Sequence, residues 1–222
     1  MDISTKEQRT EPGRTTVSRT TPAAAPRMNP GRIRLGAGGI LLALGLVVLG
    51  SQMKSNADFS KDYVARQLGQ QRITFKASDT LTEDERSKPC LVAYAGTLLT
   101  TGEQAECYAN DFIGQHLPKI ADGKTFSELR AVQTALRTQI TEAQAKSDPS
   151  VGDLQRQLAE VTGKRQSLFE GETMKGLLLT TYGFSTLGSK AGQAATVAFL
   201  GAGVVLLLSL VVLVRSGRKP TA

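Results

Sequence analysis

The stretch AATVAFLGAGVVLLLSLVVLV, residues 194–214, decides how the rest of this chain is read. It carries no charge, and as a helix rising 1.5 Å per residue it reaches about 31 Å, the thickness of a bilayer's hydrocarbon core. A helix is also the form that satisfies its own backbone in lipid. Arg215, Arg218 and Lys219 follow at once, in the manner of a stop-transfer sequence. A transmembrane helix is therefore expected here rather than the core helix of a soluble protein.

A second run lies near the other end. Residues 35–53, LGAGGILLALGLVVLGSQM, are also uncharged and reach about 28 Å as a helix. A basic stretch followed by an apolar run also describes a secretory signal peptide, with Ser55-Asn56-Ala57 as its cleavage site. Against cleavage stand the 34 residues that precede the run and the Gln52-Met53-Lys54 interruption before the candidate site. An uncleaved first transmembrane helix is the favoured reading.

Charge orients the two spans. Residues 1–34 hold seven Lys or Arg against three acids, and residues 215–222 hold three basic residues and no acid. The 140 residues between the spans contain 17 basic and 17 acidic side chains, so the net charge of +7 sits entirely on the tails. Basic flanks stay cytoplasmic. Both tails are expected inside the plasma membrane and the central domain outside it. The basic balance thus reports topology and gives no reason to expect a nucleic-acid partner; beside an anionic leaflet each tail residue gains about 1 kcal/mol.

The two cysteines, Cys90 and Cys107, both fall in the segment placed outside, where disulfides persist. A structural Cys90–Cys107 bridge is expected, since two cysteines without a second CxxC or a His cluster make a poor metal set.

The fold class expected is mainly α, two transmembrane helices flanking an extracytoplasmic α-rich domain at 54–193 with little or no β. Residues 1–34, rich in Thr, Pro, Ala and Arg, lack the apolar content to order themselves and are expected to be a disordered tail. Phe59, Tyr63, Val64 and Leu68 recur at helical intervals over 58–70, QRITF at 71–75 reads as a short strand, and Thr82 with Glu85 has capping-box spacing before a helix that Pro89 ends. From Gly102, the residues Ala105, Tyr108, Ala109, Phe112, Ile113 and His116 form one buried stripe.

Thr125 and Glu128 open a further helix with seam residues Leu129, Val132, Leu136, Ile140 and Ala143. After a turn at 147–150 a second seam follows at Val151, Leu154, Leu158 and Val161. The heptad-like spacing predicts an antiparallel, coiled-coil-like hairpin over 125–169. Phe169 and the Asp148-Pro149 turn are its candidate partner anchors. Residues 173–193 are read as a continuous or kinked helix, or one lying on the outer leaflet.

The motif search eliminates more than it finds. His116 is the only histidine and sits on a buried stripe, so it is read as packed rather than catalytic. No nucleophile elbow, phosphate-binding glycine loop or HExxH helix occurs. No catalytic, cofactor-binding or metal-ligating residue is assigned, and no cofactor is expected. The spans carry no ionisable residue, which argues against an ion pathway lined by this chain alone. Gly39/Ala43 and Ala198/Ala202 have the small-xxx-small spacing that favours helix pairing, within the chain or in a homo- or hetero-oligomer.

The stretch ADFSKDYVARQLGQQRITFKASDTLTEDERSKPCLVAYAGTLLTTGEQAECYANDFIGQHL, residues 57–117, resembles a group of uncharacterised two-span membrane proteins of actinobacteria. The resemblance implies an outer domain facing the wall of a Gram-positive-type cell, and supplies no activity. The label of aromatic ring-opening dioxygenase that some members carry does not fit. Such iron sites need two histidines and a carboxylate, and this chain has one histidine.

The reading that follows is a non-enzymatic accessory, scaffold or sensor-like membrane protein whose outer domain binds a protein partner. A small subunit of a transporter or channel is the first alternative, and an envelope enzyme the second. The topology has a direct check: single cysteines introduced at Ser18 or Ser216 should stay protected from an impermeant thiol reagent in intact cells, and one at Ser147 should react. Labelled tails would reverse the orientation.

Overall fold

The structure is a computed structural model and describes residues 30–216. The expected disordered tail lies outside the described residues, except that residues 30–34 are helical. The fold is all α, as expected. Seven α-helices run in chain order: α1 Pro30–Gln71, α2 Glu83–Arg86, α3 Pro89–Ala93, α4 Gly102–Cys107, α5 Gly114–Ile120, α6 Phe126–Ala145 and α7 Val151–Ser216, with a π-helical turn at Tyr108–Ile113 between α4 and α5.

The two long helices dominate. Pro30 is the first described residue of α1, and no proline follows until Pro89. Likewise Pro149 precedes α7 and no proline interrupts its 66 residues. The apolar run 35–53 and the helix expected at 58–70 are therefore one rod. So are the second hairpin arm, the 173–193 segment and the apolar run 194–214, in a helix about 100 Å long. Each rod contains a stretch long and apolar enough to cross a membrane.

α1 and α7 pack antiparallel along the whole length of α1. Small residues make this possible. A methyl group at Gly39 would overlap the Ser209 side chain, and one at Gly188 would overlap Ser60. Ala43, Ala198 and Ala202 are buried between them. The small-xxx-small faces read in the sequence are thus spent pairing the two spans of one chain. Ser209 settles its hydroxyl on its own helix, donating to the Val205 carbonyl at 2.7 Å.

Above the apolar runs, the connection between α1 and α6 folds as a cap against the upper halves of both rods. Its core joins Val64 and Leu68 of α1, Phe75, Leu91 and Leu99 of the connection, and Leu168 and Leu178 of α7. Residues 71–75 do not form a strand. Only one antiparallel bridge forms, Thr74 with Leu98, fixed by Leu99 N–H donating to the Ile73 carbonyl at 2.8 Å. The left-handed backbone at Arg72, which ends α1, leaves too few extended residues for more. Pro89 begins α3 rather than ending α2, which stops at Arg86.

The buried positions Ala105, Ala109, Ile113 and Leu117 recur at strict intervals of four. On a straight α-helix such a row drifts by about 40° per step. The wider π-helical turn at 108–113 takes up this drift and keeps the row facing α7.

The hairpin forms as expected at its turn, where Ser147 adopts left-handed backbone and Asp148 accepts from the Ser150 N–H at 2.8 Å. Leu129, Leu136, Ile140 and Ala143 are buried on α6, but Gln133 takes the buried place and Val132 is half-exposed. Gln133 donates to Thr162 Oγ1 at 2.8 Å and accepts from Arg165 at 3.2 Å, a polar clasp within the seam. The base of the hairpin belongs to the domain core through Leu129, Val161 and Leu168, so only its outer half projects freely.

Cys90 and Cys107 are bridged, with Cα atoms 6.0 Å apart, tying α3 to the end of α4. The bridge closes a loop of 17 residues. Cys107→Ser should cost about 2–4 kcal/mol in detergent-solubilised unfolding, the entropy of a loop that size. Full alkylation of the protein from its native membrane without prior reduction would contradict the bridge.

Candidate functional site

The bonded titratable side chains of the cap gather on one side of it, around Glu85. Thr82 is the N-cap of α2 and Glu85 completes its capping box: the Thr82 N–H donates to Glu85 Oε2 at 2.8 Å and the Glu85 N–H donates to Thr82 Oγ1 at 3.3 Å. The Glu85 side chain is 1 % exposed, and its other oxygen accepts from Lys76 Nζ at 2.8 Å. His116 Nε2 stands 3.7 Å from that same oxygen.

Burial pushes the Glu85 carboxyl up. The Lys76 hydrogen bond, the two Thr82 contacts and the Lys76 charge outweigh it and hold the group below its ordinary value of 4.5. The carboxylate is occupied on both oxygens and is a latch, not a free base. A second link, Lys119 to Asp84 at 2.9 Å, fastens α5 to α2 and lowers the Asp84 pKa.

His116 does not lie fully inside. Its side chain is half-exposed, and Nδ1 donates to the Phe112 carbonyl at 2.7 Å, leaving Nε2 to face Glu85. Its ring ends an aromatic ladder of Phe75, Tyr108 and Phe112, with centroids 5.3, 4.7 and 4.7 Å apart along the series. Lys76 lies 5.4 Å over the Phe112 ring. Burial raises the Tyr108 pKa. The structure brings His116 and Glu85 together, with Lys76 and Thr82 already bonded to Glu85.

Cys90, Cys107 and Asp111 form the one metal-like grouping among the described residues. Asp111 reaches within 3.0 Å of Cys90 Sγ and lies 3.5 Å from Lys88. The two sulfurs are bonded to each other, so the thiolates a metal would need do not exist in this state. Among the described residues, no buried side-chain nitrogen or oxygen lacks a partner.

Two grooves run beside the α1/α7 pair instead. One, of about 440 Å³, mixes apolar and charged lining: Lys54, Asp58 and Lys61 of α1 and Ser185 and Ser189 of α7 line it among alanines and glycines, with Thr100 to Glu103 at its edge. The other, of about 340 Å³, is apolar and lined by Leu68, Phe169, Met174, Leu177 and Leu178. Phe169, 51 % exposed, stacks on Phe126, whose ring also carries Arg165 at 4.0 Å. No protein-family model, curated protein or solved structure matches the chain.

Sequence reasoning missed both grooves, because each is built from helices far apart in the chain. It also passed over Thr101 and Gln104, a third capping box in the plain pattern T-x-x-Q, whose Gln104 side chain accepts from the N–H groups of Thr100 and Thr101.

The Glu85 latch has a pH signature. A carboxyl whose folded pKa is depressed stabilises the fold fully above its unfolded pKa, and that contribution is lost as pH falls through the folded value. Glu85→Gln should cost about 1–3 kcal/mol at neutral pH by unpairing the Lys76 ammonium. The gap between variant and wild type should close as pH drops below about 4.5. A gap independent of pH would remove the latch's ionic character.

Proposed function

We propose that the chain is a two-pass plasma-membrane protein, non-enzymatic, whose outer domain serves as an accessory or scaffold surface for another membrane-anchored protein. In this reading residues 35–53 and 194–214 cross the bilayer, both tails are cytoplasmic, and the disulfide-tied cap and the hairpin face outward. The basic flanks, the charge-balanced domain between the apolar runs and the oxidised cysteine pair all support that arrangement.

One observation carries the binding role. On α7 the apolar surface does not stop where residues 194–214 begin. Leu187, Phe184, Leu177, Met174 and Phe169 continue it upward at intervals of three to seven, and all are exposed by 40 % or more. Phe59 and Tyr63 of α1 widen the strip beside Phe184. In water such a surface is unfavourable unless covered. Because the strip lies directly above the apolar run 194–214 of the same helix, it suits a partner that also rises from the bilayer as an apolar helix.

The hairpin's outer half is polar and suits a wet, secondary contact. The pairing of the small-residue faces inside the chain speaks against their use to pack into a channel wall.

A photo-crosslinking residue placed at Met174 or Leu177 in native membranes should capture one membrane-embedded protein of defined mass, and Leu177→Glu should abolish its co-purification. Capture from Thr138 or Thr141 on the hairpin alone would move the interface to the tip. Capture from none of the four would refute the scaffold reading.

A further inference from the structure

We infer that the groove between α1 and α7 that carries Lys54, Asp58, Lys61 and Glu103 is a binding site for the headgroup of an aminophospholipid, phosphate and primary ammonium together. The inference rests on the two-pass reading. It starts from where the groove lies. Its lower end reaches Lys54, the residue after the first apolar run, and Thr196, the third residue of the second. Its upper end reaches Ala65 on α1 and Ser185 on α7, roughly 13–18 Å further up at 1.5 Å per residue. The groove therefore begins at the level of the lipid headgroups and rises through them, since headgroup layers are only about 5–8 Å deep on each side.

The chemistry of its walls selects the ligand. Lys54 is paired with Asp58 one turn along α1. Lys61 has no partner among the described residues and lines the groove together with Ser185 and Ser189 of α7. Ammonium and hydroxyl donors converging in a concavity suit a phosphodiester. Glu103, also unpartnered among the described residues, projects from the roof, and with Asp58 it balances the two lysines. A purely anionic headgroup would meet these carboxylates unfavourably. A headgroup that puts phosphate between Lys54 and Lys61 and a hydrogen-bond-donating amine beneath Glu103 satisfies both signs.

Ala57, Gly188 and Gly192 form its floor, where the helices come closest and Ser60 packs directly against Gly188. The acyl chains of such a lipid would leave past Thr196 along the apolar face of α7. The apolar partner strip holds Phe59, Tyr63 and Leu187, none of which lines this groove. Lipid and partner therefore occupy separate surfaces.

The test uses the full chain reconstituted in phosphatidylcholine nanodiscs containing minor, equal fractions of phosphatidylethanolamine and phosphatidylglycerol. Retained lipid is then read by native mass spectrometry. Phosphatidylethanolamine should be retained in preference to both others, and Lys61→Gln and Glu103→Gln should each reduce retention about fivefold, the factor for one charged contact. Ser189→Leu, which fills the slot without changing charge, should do the same, with formation of the Cys90–Cys107 bridge as the check on folding. Lys190→Gln, outside the groove, should have no effect.

Preference for phosphatidylglycerol, or equal retention of all three, overturns the proposal. So does displacement by inorganic phosphate, which would mark a free-anion site. Release of the chain from membranes by alkaline carbonate would sink the two-pass reading and this one together, whereas membrane retention without lipid preference sinks this one alone.

Discussion

The close antiparallel contact of α1 with α7 is the constraint on which the rest of the molecule depends. Two helices separated by about 80 residues of sequence are held side by side from Gly36 against Leu213 up to Leu68 beside Leu178. In the lower half there is little hydrophobic gain from pairing if lipid surrounds the helices, so the contact relies on close approach and dispersion between small side chains. In the upper half the same two helices meet through Val64, Leu68 and Leu178, where water would otherwise cover the apolar surface. The interface thus changes along its length from glycine, alanine and serine contacts, which reach as far as Gly188 against Ser60, to larger aliphatic residues above them.

The cap is the consequence. The 30 or so residues from Gln71 to Gly102 contain only two short helices and one bridge, too little regular structure to hold a core unaided. They are fixed from three directions: by burial of Phe75, Leu91 and Leu99 against the rods, by the disulfide to α4, and by the Lys76–Glu85 and Lys119–Asp84 links across its surface. Of these, burial contributes most, and the exposed Lys119–Asp84 pair contributes little. The disulfide acts chiefly on the unfolded chain, limiting how far the segment can wander before the core closes.

How far the sequence alone leads depends on the range of the interaction. Short-range signals were readable: the capping boxes at Thr82/Glu85 and Thr125/Glu128, the apolar runs, the hairpin turn at Asp148-Pro149 and the cysteine pair all rest on neighbours within a few residues or on composition. Errors came where local patterns had no single outcome. QRITF has strand composition, but a strand needs a partner longer than the one residue Leu98 supplies. Val132 and Gln133 were both available to the seam, and the choice went to Gln133 because Thr162 and Arg165 stood opposite to satisfy its amide. The fusion of the hairpin arm with the second apolar run was implicit in the absence of proline between 150 and 216, a negative signal that periodicity analysis passes over. The grooves were not legible at all, since nothing local links Lys61 to Ser189 or Leu68 to Phe169.

The two grooves give the helix pair opposite faces, and that asymmetry constrains what the molecule can do in a membrane. A pair of helices that served only as an anchor would gain nothing from carrying an apolar strip several turns beyond the bilayer, where each exposed aliphatic group has an unfavourable contact with water. Nor would it gain from lining its other side with lysines, hydroxyls and carboxylates at the lipid boundary. In the proposed reading, a partner docked along the strip would cover Leu177 and Leu187. Because α7 is one unbroken helix, its position in the membrane and that of the strip cannot vary independently. Whatever fixes the depth and rotation of the lower rod, whether tail charges or a headgroup held between Lys54 and Lys61, also fixes the height and bearing at which the strip is offered. In the proposed two-pass reading, this rigid connection would make the membrane-facing side a positioning device for the partner-facing one.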